Sequence, residues 1–263
     1  MNILKTASKT ASFLLFFFLL LVVFGIPAIT FSKFEFIRIL QDKTFLTSAL
    51  FSIKTASTAT LFSAIFGIPA GFYLARNKGV VSFVMDSFFD IPVIIPPLII
   101  GVLLLNFFNL GIIKSFFQFI FTFKGAVVAQ FFISFPFTLK ASKSVFEVIP
   151  TLYEDIAMTL GATPVRSFLD TTFKLSFEGI ISGIMLSWIR CFGEFGATLL
   201  VGGGIAGKTE NIPINIYMST TEGNFEKSIT ASLLVVASSM VFVLILKSSF
   251  LKKIGKDKKP TKF

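Results

Sequence analysis

The sequence predicts an all-α polytopic membrane protein with six transmembrane helices, and three observations carry that prediction. Hydrophobic residues make up 54% of the 263-residue chain and charged residues only 14%, against roughly 25% charged in an ordinary soluble domain. Apolar stretches of about the 20 residues that a helix needs to cross a bilayer recur along the chain. The two-residue alternation of a transmembrane barrel is absent. A soluble fold could not hide this much apolar surface, and a disordered chain would be poor in apolar residues.

Four runs carry no charge: Thr10–Ser32, Thr55–Ala75, Ile91–Ile113 and Ser228–Leu246. Two more are weaker. Gly125–Leu139 is short but lies between Lys124 and Lys140, whose long stems can snorkel. Gly179–Gly207 is long but contains Arg190 and Glu194. Ser115–Phe123 is a candidate interfacial piece. The first run follows Lys5 and Lys9 as a signal peptide would, but it is too long for an h-region and no small-residue cleavage site ends it. It is expected as a retained first helix. The layout is then an N-terminus at 1–9, a six-helix domain at 10–250 with a structured loop at 141–174, and a basic tail at 251–263.

The chain has no His and a single Cys, Cys191. That excludes a His-based catalytic triad, a His-ligated metal site and a disulfide within one chain. No catalytic residue, metal or cofactor is expected. The net charge of +10 reads as membrane flanks rather than a nucleic-acid surface. With both termini on one side, that side carries fifteen of the Lys and Arg residues and the other seven. The excess of Lys and Arg in cytoplasmic loops then places both ends in the cytoplasm, with the Lys-rich tail 247–262 facing lipid headgroups.

The loop Lys140–Lys174 is too structured for a linker. Ser142–Glu147 and Pro150–Leu160 carry helix formers, with Leu152, Ile156 and Leu160 at helical spacing. Glu154 and Asp155 sit in the first turn after Pro150, where the helix dipole favours acids. Gly161 is placed to end that helix. Thr163 as N-cap and Pro164 at the first position open a second helix over Val165–Phe173. Such a helix-Gly-helix unit is either a docking surface or an amphipathic element lying on lipid.

The segment Asp155-Ile156-Ala157-Met158-Thr159-Leu160-Gly161-Ala162 resembles the EAA loop of ATP-binding-cassette importer permeases. Asp155 stands for the Glu, Ile156 and Ala157 for the two Ala, and Gly161 for the Gly; Lys174 stands where a Pro is usual. Gly193-Glu194-Phe195-Gly196-Ala197-Thr198 and Gly207-Lys208-Thr209-Glu210-Asn211-Ile212-Pro213 are similar to stretches of the molybdate, tungstate and sulfate permeases. The resemblance covers roughly Phe45–Leu246 and implies a type I importer permease fold, a homodimer, two copies of a separate ATPase subunit and an extracytoplasmic oxyanion-binding protein. It implies that the ATPase grips a coupling loop containing Glu154, Asp155, Ile156, Ala157, Gly161, Ala162, Pro164 and Arg166.

Other motifs have two readings each. Gly202–Thr209 matches the phosphate-binding string G-x-x-x-x-G-K-T, but that motif works between a strand and a helix, and here it follows a membrane span and meets Pro213. It is expected to shape an external loop. Arg190 and Glu194 lie four apart on one helix face, as a packing pair or as a gate. Gly179 and Gly183 permit close helix approach. The hydroxyls Thr55, Ser57, Thr58, Thr60 and Ser63 either line an anion path or bond back to their own helix. Prolines from Pro92 to Pro97 mark a bend or a helix start. The path or gate is assigned to Thr58, Ser182, Arg190, Glu194 and Thr198.

The expected function is the permease subunit of a molybdate or tungstate importer in the cell membrane, driven by ATP hydrolysis on another subunit and making no bonds itself. A sulfate permease is the nearest alternative. A secondary transporter would usually show internal repeats, and none is visible; an intramembrane enzyme would need clustered acids, His or a Ser/Lys pair at depth.

Overall fold

The structure, a computed structural model, describes residues 2–25 and 33–257, and every element among them is helical. The chain divides into two units, 1–42 with 216–263 and 43–215.

The first unit holds α1 (Asn2–Leu20), which runs into a π-helical turn at Leu21–Gly25, then α2 (Lys33–Gln41) and α13 (Phe225–Asp257). Thr6–Val23 is long and apolar enough to cross a membrane, and its side chains are exposed. The end of the first expected span, 26–32, and residues 258–263 of the tail lie outside the described residues. Asp42 and Lys227 form an ion pair at 2.5 Å, and Thr220 shares a hydrogen bond with Ser228 at 2.6 Å.

The second unit is built on α3 (Lys43–Arg76), α4 (Val80–Ile94), α5 (Pro97–Asn109), α6 (Gly111–Phe116), α7 (Phe123–Val148), α8 (Leu152–Thr159), α9 (Pro164–Phe168), α10 (Lys174–Phe192) and α11 (Gly196–Gly202). Helix α12 (Ile212–Thr221) begins in this unit and ends in the first. Small side chains are buried at every fourth position of α3: Thr55, Ala59, Ser63, Gly67 and Gly71. On α7 the matching row is Gln130, Ser134, Thr138 and Ser142, none of them exposed. A Cβ on Gly71 would stand 2.8 Å from the Leu139 carbonyl oxygen and 2.9 Å from the Lys143 nitrogen. One on Gly183 of α10 would meet the Ala141 Cβ at 2.4 Å. Small residues therefore set the backbone spacing of this three-helix seam, as in membrane helix pairs generally. Ser63 and Ser134 bond each other at 2.9 Å across it, and Ser187 donates to the Ser134 carbonyl at 3.2 Å.

Four described helical segments are long and apolar enough to cross a bilayer, and a fifth arises if α4 and α5 count as one broken span. The six apolar runs lie on α1, α3, α4–α5, α7, α10–α11 and α13, and three of them differ from their expected form. The run Ile91–Ile113 is interrupted at Ile95–Pro96, with a bend of 108°. Ile95 and Pro96 are extended, as residues before proline prefer, and Pro97 takes the first helical position. Helix α7 runs on from Leu139 to Val148, absorbing the expected Ser142–Glu147 segment. Lys140 pairs with Asp86 and Asp90, both at 2.8 Å, and Lys143 with Asp86 at 2.7 Å, so these cations are neutralised against α4. The run Gly179–Gly207 is two helices, because α10 stops at Gly193 and α11 restarts at Gly196.

Substituting Gly71 by Ala is expected to destabilise the solubilised protein by about 1–3 kcal/mol, the usual overpacking cost. Gly79→Ala, where the new Cβ meets nothing within 4 Å, is the control. A thermal unfolding series in detergent checks the difference.

Candidate functional site

Two groups of residues stand out in the second unit. The first is the platform formed by α8 and α9. Gly161 closes α8 in the left-handed conformation, φ +92°, with its N–H on the Met158 carbonyl at 3.0 Å. Thr163 caps α9, its hydroxyl accepting the Arg166 N–H at 3.4 Å, and Pro164 occupies the first turn. The expected second helix Val165–Phe173 is five residues of α9 followed by a π-helical turn, Leu169–Phe173, that leads directly into α10. Helix α9, the π turn and α10 are thus one rod, Pro164–Phe192.

Glu154 pins the platform. One carboxylate oxygen lies 3.2 Å from Arg76 Nη2 and also accepts the Thr172 hydroxyl, while the Glu154 carbonyl accepts the Ser167 hydroxyl at 2.7 Å. Arg76 donates its other arm to the Ile149 carbonyl at 2.9 Å and lies over the Phe72 ring. Phe72, Phe146, Phe168 and Phe173 pack edge-to-face or tilted beneath. Of the residues expected to meet a partner, Glu154 is therefore turned inward, and Ala157 and Ala162 are half-buried. Asp155, Ile156, Gly161, Pro164 and Arg166 are exposed, Arg166 pairing with Asp170 at 3.3 Å. Leu160 and Val165, 83% and 69% exposed, give this surface an apolar crest.

The second group surrounds the break between α10 and α11. Glu194 is 1% exposed; its Oε2 lies 2.7 Å from Arg190 Nη1 and its Oε1 accepts the Ala197 N–H at 3.1 Å. The pair therefore bridges the end of one helix and caps the start of the next. Asn211 donates to the Glu194 carbonyl at 2.6 Å and accepts the Ile214 N–H at 3.0 Å. Glu210 bonds Ser48 at 2.9 Å and Asn215 at 3.1 Å, and Ser52 accepts the Ile212 N–H at 2.8 Å. Thr209 folds the Gly-rich loop on itself, its hydroxyl accepting the Ile205 N–H at 3.1 Å. Glu210 and Asn211 fall in the stretch Gly207–Pro213 that resembles the oxyanion permeases, but nothing in the sequence marks them, or Ser52, as anchors.

The residues assigned to a path do not gather at one point. Thr58 and Ser182 donate to carbonyls of their own helices, Lys54 and Glu178, at 2.7 and 2.9 Å. Thr198 is fully buried against Gln130, at 3.4 Å. Arg190 keeps 30% of its side chain exposed.

A chain with several helices long and apolar enough to cross a membrane is a polytopic helical membrane protein. The chain belongs to the family of binding-protein-dependent transport system inner membrane components, whose model matches residues 67–254. Membership implies partners of two kinds, an ATPase and a substrate-binding protein, with the ATPase site on the separate subunit. It is 33% identical over 219 residues to the molybdenum transport system permease protein ModB of Escherichia coli K12, covering 80% of this chain and 95% of that one. It is 33% identical over 218 residues to the probable transport system permease protein NifC of Clostridium pasteurianum, covering 80% and 75%. The molybdate/tungstate permease protein WtpB of Thermococcus kodakarensis is 33% identical over 165 residues, covering 63% and 64%. The fold is similar to that of the bacterial importer of the acidic polysaccharide alginate, with TM-score 0.61, 18% identity and coverage of 94% and 96%. The methionine transporter MetNI gives 0.58, 16%, and coverage of 80% and 94%.

Arg76 and Glu154 are each under one-fifth exposed, so Glu154→Ala is expected to cost about 1.5–3 kcal/mol, as for hydrogen bonds to charged groups. A double-mutant cycle with Arg76→Ala, followed by thermal unfolding, is expected to return a coupling of about 1 kcal/mol or more.

Proposed function

We propose that the chain is the permease subunit of an importer for molybdate or tungstate, acting as a homodimer with two ATPase subunits on the cytoplasmic side and an oxyanion-binding protein outside. The observation that carries this is the 33% identity to a molybdenum permease over nearly all of that protein's length. It favours molybdate or tungstate over the sulfate alternative. The excess of Lys and Arg on the side of both termini supports cytoplasmic ends.

In this reading the six-helix domain 10–250 carries the anion between the copies. The platform within loop 141–174 is the coupling element. Asp155, Ile156, Ala157, Gly161, Ala162, Pro164 and Arg166, with the crest of Leu160 and Val165, meet the ATPase, and Glu154 holds that surface to α3. Arg190 borders the path, Glu194 behind it cancels its charge, and Thr198 supports α11; Thr58 and Ser182 line the walls. A path with balanced charge does not trap a dianion.

The test is co-purification with an ATPase subunit and uptake of labelled molybdate and tungstate, with sulfate as competitor, into vesicles holding the full complex. Leu160→Asp with Val165→Asp is expected to abolish ATPase association and reduce uptake at least tenfold, while the amount of folded permease stays unchanged. Association and uptake that survive both substitutions would remove the coupling role. Uptake that sulfate suppresses as well as molybdate does would remove the substrate assignment.

A further inference from the structure

Of the charged side chains well within the apolar runs of the second unit or at their breaks, Asp86, Asp90, Lys140, Lys143, Arg190 and Glu194 are paired, and the cations Lys43, Lys124 and Lys174 sit in the first turns of their helices. Lys54 on α3 is not paired. Its side chain is exposed, and among the described residues its ammonium has neither a carboxylate nor a hydrogen-bond acceptor. One turn further along the same helix, Ser57 breaks a second local rule. Thr55, Thr58 and Ser63 each spend their hydroxyl proton on a carbonyl of their own helix. Ser57 instead accepts the Trp188 indole N–H at 3.2 Å, which leaves its own proton free. Trp188 is itself held in a stack with Phe192, 5.1 Å between centroids.

Two unspent donors, an ammonium and an oriented hydroxyl, thus lie three residues apart on one exposed helix face. We infer that Lys54 and Ser57 form an anion-binding station for a tetrahedral oxyanion, an inference that rests on the oxyanion-import reading above. Lys54 is 22 residues from Arg76, about 33 Å along the helix, close to the thickness of a hydrocarbon core. With Arg76 at the cytoplasmic end, the station stands at the outer mouth, where a released anion arrives. Thr58, next in sequence, donates elsewhere and is not the hydroxyl that serves the anion.

The test uses the full complex in vesicles, with tungstate-loaded binding protein outside and initial uptake as the readout. Lys54→Gln is expected to lower uptake roughly tenfold or more and Ser57→Ala less, while Lys54→Arg retains most of it. Wild-type uptake should fall as ionic strength rises, and the Lys54→Gln variant should lose that dependence; a purely structural role would not move this. Co-purifying ATPase confirms that each variant assembles. Wild-type uptake by Lys54→Gln overturns the station. So does a defect seen only in vesicles with anionic phospholipid, which would make Lys54 a headgroup anchor. A wild-type complex that carries sugars or amino acids but no oxyanion overturns the parent reading and this one with it.

Discussion

The seam of small residues along α3, α7 and α10 is the constraint on which the rest depends. In lipid there is no hydrophobic force to press helices together, so association rests on close packing and on hydrogen bonds between helices. Gly67, Gly71, Gly179 and Gly183 allow the approach, and the Ser63–Ser134 and Ser187–Ser134 bonds fix its register. The platform and the Glu194 network lie at the ends of this seam. At one end Arg76, the last residue of α3, reaches Glu154 on the platform. At the other, Cys191 packs against Ala56 and Ala59, three residues ahead of Glu194 and its network.

Charge is the second organiser. Burying an ion in this setting is costly unless it is paired and its remaining hydrogen bonds are met. Lys140 and Lys143 satisfy that rule through Asp86 and Asp90, which lets α7 continue as helix well past its apolar run. The same pairs tether α4, whose only buried residue is Ser82. Arg190 and Glu194 do the same at the opposite end, with the backbone N–H of Ala197 completing the carboxylate.

Local signals were legible in the sequence. The apolar runs fall on helices, and Gly161, Thr163 and Pro164 do the turning and capping that their chemistry dictates. Non-local pairings were not. Lys140 reads as the end of a span because its partner Asp86 is 54 residues away and periodicity carries no trace of it. The break at Gly193 was hidden for a similar reason: Arg190 and Glu194 read as a pair four apart on one continuous helix, and nothing local shows that the carboxylate folds back to cap the next helix. Glu154 and Asp155 looked equivalent in a first turn; the position of Arg76, set by the seam, makes the first an internal pin and leaves the second on the surface.

These features join the two ends of the second unit. The rod Pro164–Phe192 has 29 residues, about 44 Å of helix, and no loop separates α9 from the span. A helix transmits rotation and translation along its axis because its backbone bonds are continuous, and the π turn at Leu169–Phe173 is the one place where that ladder is re-registered. In the proposed coupling, a push on the crest of Leu160 and Val165 has two outlets. Through Glu154 and Arg76 it loads α3, and through the rod it loads Arg190. The far end of the rod is not free either. Glu194 ties it to α11, and Asn211 ties Glu194 to the loop before α12. Because Ser48 and Ser52 of α3 hold that same loop through Glu210 and the Ile212 N–H, the two outlets meet again there. The unit is thus a closed frame of ion pairs and hydrogen bonds that joins the platform to the opposite loop, which is the arrangement the proposed coupling needs.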